Sequence, residues 1–193
     1  MINGINSREM ILEILLEIEE GEHSHVAIRN ALSKYQFLPK QDRAFITRVC
    51  EGTLEYRIQI DYIINSFSKV TVDKMKPAIR EILRSAVYQL KYMDSVPDSA
   101  VCNEAVKLAQ RKGFYNLKPF VNGVLRTIAR EMDQVRFPQK EDDLLKYLSV
   151  KYSMPEVLVT RWLEAYGEET TEKILADFLT EHPLTIRCRT YLN

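Results

Sequence analysis

The stretch Phe120-Val121-Asn122-Gly123-Val124-Leu125-Arg126 sorts its residues onto two sides of a helix. Phe120, Val121, Val124, Leu125, Ile128 and Met132 recur at spacings of three and four and share one face, while Asn122, Arg126 and Arg130 share another. Gly123 in the interior of this helix costs about 1 kcal/mol relative to Ala, which implies close approach there of a neighbouring helix or of a ligand backbone. The preceding helix, around Asn103-Glu104-Ala105-Val106-Lys107-Leu108-Ala109, turns Val101, Ala105, Leu108 and Ala109 inward and Asn103, Lys107 and Arg111 away. No acidic residue lies between Glu104 and Glu131, whereas Lys107, Arg111, Lys112, Lys118, Arg126 and Arg130 all do. Two successive helices therefore carry a local excess of positive charge, and a polyanion is the first partner they suggest.

Nothing in the bulk composition supplies that charge. The chain has 193 residues, with Lys+Arg and Asp+Glu equal at 27 each, so any attraction for nucleic acid must come from uneven distribution. An apolar content of 46% is enough for a packed core. No apolar run approaches the roughly 20 residues that span a bilayer. The first residues lack a basic start and carry acids throughout, unlike a signal peptide. Cys50, Cys102 and Cys188 are odd in number and widely spaced, which points to reduced thiols and a cytoplasmic location.

Outward from the central stretch the periodicity is helical. Ser7 reads as an N-cap for a helix carrying Met10, Ile11, Ile14, Leu15 and Ile18 and ended by Gly21. Helices follow with Val26 to Leu32, with Phe45 to Cys50 after Pro39, and from Arg57 to Asn65, Gly52 and Thr53 preceding the last. Pro77 opens a long helix with Ile79, Ile82, Leu83, Ala86, Val87 and Leu90, and Pro97 and Asp98 open the next, which Gly113 closes. These elements, with the helix from Pro119, predict an all-α bundle over residues 1–133. Asp133 to Lys140 reads as a linker. A smaller helical unit at 134–182 follows, with Ser153 and Glu156 at capping-box spacing, Gly167 ending one helix, and Trp162 as core anchor. Leu184 to Thr190 alternates as a strand does. A lone strand is unstable, so residues 183–193 predict the start of a sheet continuing downstream in a longer protein.

Candidate binding residues are Lys107, Arg111, Arg126 and Arg130 for phosphates, with Asn103 and Asn122 as polar helpers. Arg80, Arg84 and Lys91 extend the basic set along the helix from Pro77. On charge alone each group equally describes a solvated helix face. Asp42 reads as an N-cap and Arg43 as the partner of a carboxylate elsewhere in the bundle. Catalysis finds little support: nothing completes a metal set around His23 and His25, Cys50 and Cys102 sit on apolar faces, and Cys188 has no nearby histidine. No Gly-rich strand-to-helix loop offers a nucleotide or S-adenosylmethionine site, and the Tyr and Phe residues look scattered.

Several segments together resemble one family. Asp42-Arg43-Ala44-Phe45, Gly52-Thr53-Leu54 and Asp61 with Ile63 look like the first half of the NusB-type RNA-binding domain. Arg80, Ile82-Leu83-Arg84, Ala86 and Tyr88 to Leu90 look like its central helix. Pro97, Val101, Asn103 to Val106, Leu108-Ala109 and Phe120 to Arg126 look like its C-terminal helices. Unlike free-standing NusB antitermination factors, the chain has Arg8 as the lone arginine of an otherwise acidic first helix, and it continues well past the domain. Tyr147-Leu148, Tyr152 to Glu156, Trp162-Leu163, Tyr166-Gly167 and Pro183-Leu184 with Ile186-Arg187 resemble the linker of the RsmB (Sun/Fmu) family, whose members methylate carbon 5 of a cytosine in small-subunit ribosomal RNA.

The resemblance implies a NusB-like domain that positions 16S ribosomal RNA for a downstream methyltransferase domain using S-adenosylmethionine and two active-site cysteines. Cys50, Cys102 and Cys188 do not match those cysteines, so this stretch by itself is expected to be inactive, without metal or cofactor of its own and without membrane contact. A NusB-like antitermination factor with a C-terminal extension is the alternative. A bundle that docks on its own catalytic domain is a third reading.

Overall fold

Asn6 rather than Ser7 caps the first helix: its Oδ1 accepts hydrogen bonds from the backbone N–H groups of Arg8 and Glu9, at 2.9 and 3.3 Å. The computed structural model describes residues 6–180 together with Ile186. Among them the helices are α1 (Ser7–Glu19), α2 (Ser24–Lys34), α3 (Lys40–Glu55), α4 (Arg57–Phe67), α5 (Pro77–Tyr92), α6 (Asp98–Arg111), α7 (Lys118–Glu131), α8 (Leu144–Lys151) and α9 (Glu156–Phe178). Gly21 and Gly113 take the positive φ that lets the chain turn out of α1 and α6. No strand occurs among the described residues, so the terminal strand is not supported. The expected segment 184–190 lies outside them except for Ile186, which has no regular secondary structure.

Helix α5 is the axis of the bundle. Its buried positions, from Ile79 through Ile82, Leu83, Ala86 and Val87 to Tyr88, wrap most of its circumference, and it packs against α1, α3, α4, α6 and α7. Met10, Ile11, Leu12, Ile14 and Leu15 of α1, Ile46, Val49 and Cys50 of α3, and Ile60, Ile63 and Ile64 of α4 complete the core around it. Helix α3 runs through to Glu55, with Gly52 buried inside it. A β-carbon at Gly52 would land on the ring of Tyr88, so this glycine admits an aromatic side chain rather than stopping a helix. Asp42 sits within the first turn of α3, whose N-cap position is Pro39. Arg43 donates to the Leu32 carbonyl at 2.7 Å, not to a carboxylate.

The segment after α7 is strapped to the bundle. Tyr62 donates its hydroxyl hydrogen to the Arg136 carbonyl at 2.7 Å, and Phe137 stacks on the Tyr62 ring at 5.7 Å. The smaller unit has little core of its own, Leu148, Val159 and Leu175 being its fully enclosed apolar residues. Trp162 lies at the edge of that core, stacked on Phe178 at 5.7 Å. Gly167, at φ +73°, breaks α9 at the predicted point.

Ser153 makes no capping box, because its Oγ accepts from the Ile58 N–H at 3.1 Å and so caps α4 from another part of the chain. Gln59 adds 3.2 Å hydrogen bonds to the Val150 and Lys151 carbonyls. A unit this small needs such support.

Glu172 ties this unit together, taking Lys140 at 3.1 Å, Lys151 at 3.0 Å and the Tyr152 hydroxyl at 3.1 Å. The hydrogen bond from Lys151 is the foremost cause that pulls its carboxyl down to about 2 from the ordinary 4.5. A depressed folded value means stability that is present above pH 4.5 and lost as pH falls through 2. Acid titration is therefore expected to change the emission of Trp162, the single tryptophan, across that window. The change should move to higher pH in Lys151→Met. An identical titration in that variant would show that this ion cluster does not hold the unit.

Candidate nucleic-acid interface

Helices α6 and α7 form an antiparallel hairpin whose apolar faces are buried: Val101, Cys102, Ala105, Leu108 and Ala109 on one, Val121, Val124, Leu125 and Ile128 on the other. The register is fixed by Arg126, whose Nη2 donates to Asn103 Oδ1 at 2.9 Å. Counting in opposite directions from that pair sets Lys107 across from Asn122 and Arg111 across from Lys118. Asn103, Lys107, Arg111, Asn122, Gly123, Arg126 and Arg130 are all exposed, so one strip of surface holds the six residues of α6 and α7 singled out from sequence.

Internal partners on this strip are weak. Lys107 pairs with Glu104 at 2.7 Å and Arg130 with its neighbour Glu131 at 2.6 Å, both cations remaining well over half exposed. Exposed pairs of this kind hold by about 0–1 kcal/mol, so a phosphate can displace them. Arg111 and Asn122 make no side-chain hydrogen bond or ion pair among the described residues. Gly123 packs against nothing: a β-carbon there would have no atom within 4 Å. Of its two expected neighbours, the adjoining helix is ruled out. Lys112 turns away to Glu9 and Glu13 of α1, at 3.2 and 3.0 Å.

Arg80 and Arg84 are not part of the strip. Arg84 forks onto both Asp61 oxygens at 2.7 and 2.6 Å and reaches Glu81 at 2.5 Å. Arg80 bridges Glu19 of α1 and donates to the carbonyls of Val72 and Met75. Their side chains are 11% and 14% exposed, so both are structural groups within a cavity of about 330 Å³. The i,i+3 pair Glu81 and Arg84 was a local hint, but Asp61 is brought in by the packing of α4 on α5.

One grouping was invisible in the sequence. Tyr56, at the junction of α3 and α4, stacks on Tyr92 at 4.3 Å, and Tyr88 lies 5.3 Å from Tyr92, beside a groove bordered by Arg48, Glu51 and Glu55. The Tyr92 hydroxyl donates to Gln59, and burial pushes both the Tyr56 and Tyr92 hydroxyls up, which keeps them neutral. Tyr88 and Tyr92 are four apart and readable as neighbours. Tyr56 joins them through tertiary packing alone.

The groups considered for catalysis stay apart. Burial raises the thiols of Cys50 and Cys102, and Cys188 lies outside the described residues. His23 and His25 stack on each other at 5.9 Å on the surface. Among the described residues no cluster of His, Cys, Asp or Glu could hold a metal, and no helix is long and apolar enough to cross a membrane.

The chain is similar in sequence and in fold to known proteins. The chain is 34% identical over 180 residues to a probable ribosomal RNA small subunit methyltransferase B of Bacillus subtilis, a match covering 93% of this chain and 40% of that protein. A second protein of that name, from Synechocystis, is 31% identical over 184 residues, so the chain spans about 40% of the length of these relatives. A transcription antitermination protein NusB of Dictyoglomus thermophilum is 33% identical over 130 residues, covering 67% of this chain and 85% of that protein.

In fold the chain resembles the crystal structure of PH0851, with a TM-score of 0.71 at 21% identity over 93% of this chain and 40% of that one. It also resembles the crystal structure of antitermination factors NusB and NusE in complex with dsRNA, with a TM-score of 0.59 at 21% identity over 64% of this chain and 93% of that one. Residues 5–130, which take in α1 to α6 and nearly all of α7, match the NusB family model. With its buried α5 axis and its α6–α7 hairpin intact, this chain belongs to the NusB family.

Proposed function

We propose that this chain is the RNA-binding N-terminal region of an S-adenosylmethionine-dependent methyltransferase that modifies carbon 5 of a cytosine in small-subunit ribosomal RNA, in the cytoplasm. The observation that carries the reading is where the similarity stops. The likeness to the methyltransferase relatives runs through α8 and α9 and covers 93% of the chain, while that to the antitermination protein covers 67%. The second helical unit is thus what this chain shares with the methyltransferases. The similar fold of a NusB bound to dsRNA supports RNA as the partner. The methyl donor and the two cysteines of such chemistry are assigned to the part of the methyltransferase relatives that this chain does not span. The role left to this chain is to hold RNA on the α6–α7 strip and present it.

A salt series on a small-subunit ribosomal RNA transcript tests this. Each neutralised phosphate contributes about 0.7–0.9 to the slope of log affinity against log salt. Arg126→Ala combined with Arg130→Ala is therefore expected to flatten the slope by about 1.5 and to weaken binding roughly 10- to 100-fold at low salt. Unchanged affinity and slope would remove the RNA role from this strip.

A further inference from the structure

We infer that Gly123 is the point at which the sugar–phosphate backbone of RNA comes closest to this protein, crossing α7 where the helix has no side chain. The inference rests on the proposed RNA role of the α6–α7 strip and adds a contact that charge alone does not give. Gly123 lies in the middle of α7, between the first-turn Pro119 and the terminal Glu131, where a glycine weakens a helix. The other mid-helix glycine of the bundle, Gly52, has a visible internal cause, since the Tyr88 ring fills the place of its β-carbon. Gly123 has none. It faces open space, with helical backbone angles that any residue could adopt.

Its surroundings on the surface are those of a backbone clamp. Asn122 beside it has a free amide able both to donate and to accept. Arg126, one turn further along α7, is held by Asn103 at 2.9 Å, so its guanidinium is oriented before any ligand arrives. Lys107 lies across the hairpin. A ribose–phosphate unit laid over Gly123 therefore meets an amide, an arginine and a lysine around a patch of bare helix. Such close approach is what the absence of a β-carbon permits, and contacts to phosphate and sugar set position without reading sequence.

The test uses the whole chain and the same ribosomal RNA transcript, with Gly123→Ala and Gly123→Gln. Both variants are expected to melt higher than the parent, by about 2–4 °C for a chain of this size. Both are expected to bind RNA more weakly, Gly123→Gln on the order of tenfold, a loss of about 1.4 kcal/mol. The salt slope should not change, because no charge has been removed. That combination separates loss of close approach from loss of a phosphate contact, and higher melting excludes misfolding as its cause. If Gly123→Gln binds as the parent does while the double arginine variant loses slope, RNA uses the strip but does not cross at Gly123, and the inference fails alone. If neither variant alters binding, the strip is not the RNA site and both readings fall.

Discussion

Arg84→Met is expected to lower the unfolding free energy by about 3–5 kcal/mol, the range for removing one member of a buried ion pair. Arg84 is the centre of a set in which Asp61 accepts two of its N–H groups and Glu81 a third. Methionine fills much of the same volume, so the loss is chiefly that of charge compensation for two enclosed carboxylates. Glu81 already sits above the ordinary carboxylate range, first because burial disfavours its ionised form, with Arg84 pulling the other way.

Removing Arg84 raises Glu81 further. A folded pKa above the unfolded one gives a contribution that is favourable at low pH and lost as pH rises through the folded value. The deficit of Arg84→Met should accordingly be smaller at pH 5 than at pH 8. Urea unfolding at both pH values reads this directly. A loss below about 1 kcal/mol at pH 8 would mean that the network is a solvated surface group.

Gly52→Val is expected to cost about 3 kcal/mol, the upper end of the usual penalty for overpacking. The added side chain meets the Tyr88 ring, and Tyr88 is held in turn by Tyr92 and Tyr56. The ring cannot withdraw without disturbing the whole aromatic group. Shortening it should make room: Gly52→Val combined with Tyr88→Leu is expected to lose less than the sum of the two single changes, by roughly 0.5–3 kcal/mol. Strict additivity would show that something other than Tyr88 demands a glycine at this position.

These two sites mark where sequence reasoning reached its limit. The helices, the inward faces of α5, α6 and α7, and the kink at Gly167 follow from local periodicity and from proline and glycine placement, and all are in the structure. The strip of Asn103, Lys107, Arg111, Asn122, Arg126 and Arg130 was legible for the same reason, since helical spacing decides which residues share a side. Arg80 and Arg84 were misplaced because spacing tells that two arginines share a face but not which helix covers it. The role of Gly52 was not legible because glycine in a sequence does not say whether it yields to a turn or to a neighbouring ring. Tyr56 and Ser153 acquire their roles through contacts far along the chain, at Tyr92 and Ile58 respectively, which no local pattern encodes.

Ser153 carries the widest consequence. By closing the first turn of α4 from beyond residue 130, it ties the segment after α7 to the part of the chain that matches the NusB family model. The match to the NusB family model ends at residue 130, but the turn between α8 and α9 supplies a cap to α4 and the Arg136–Phe137 segment clasps Tyr62, so the bundle draws on residues beyond that match. A displacement of α4 would therefore be passed to the α8–α9 turn through Ser153 and Gln59 as well as along the chain.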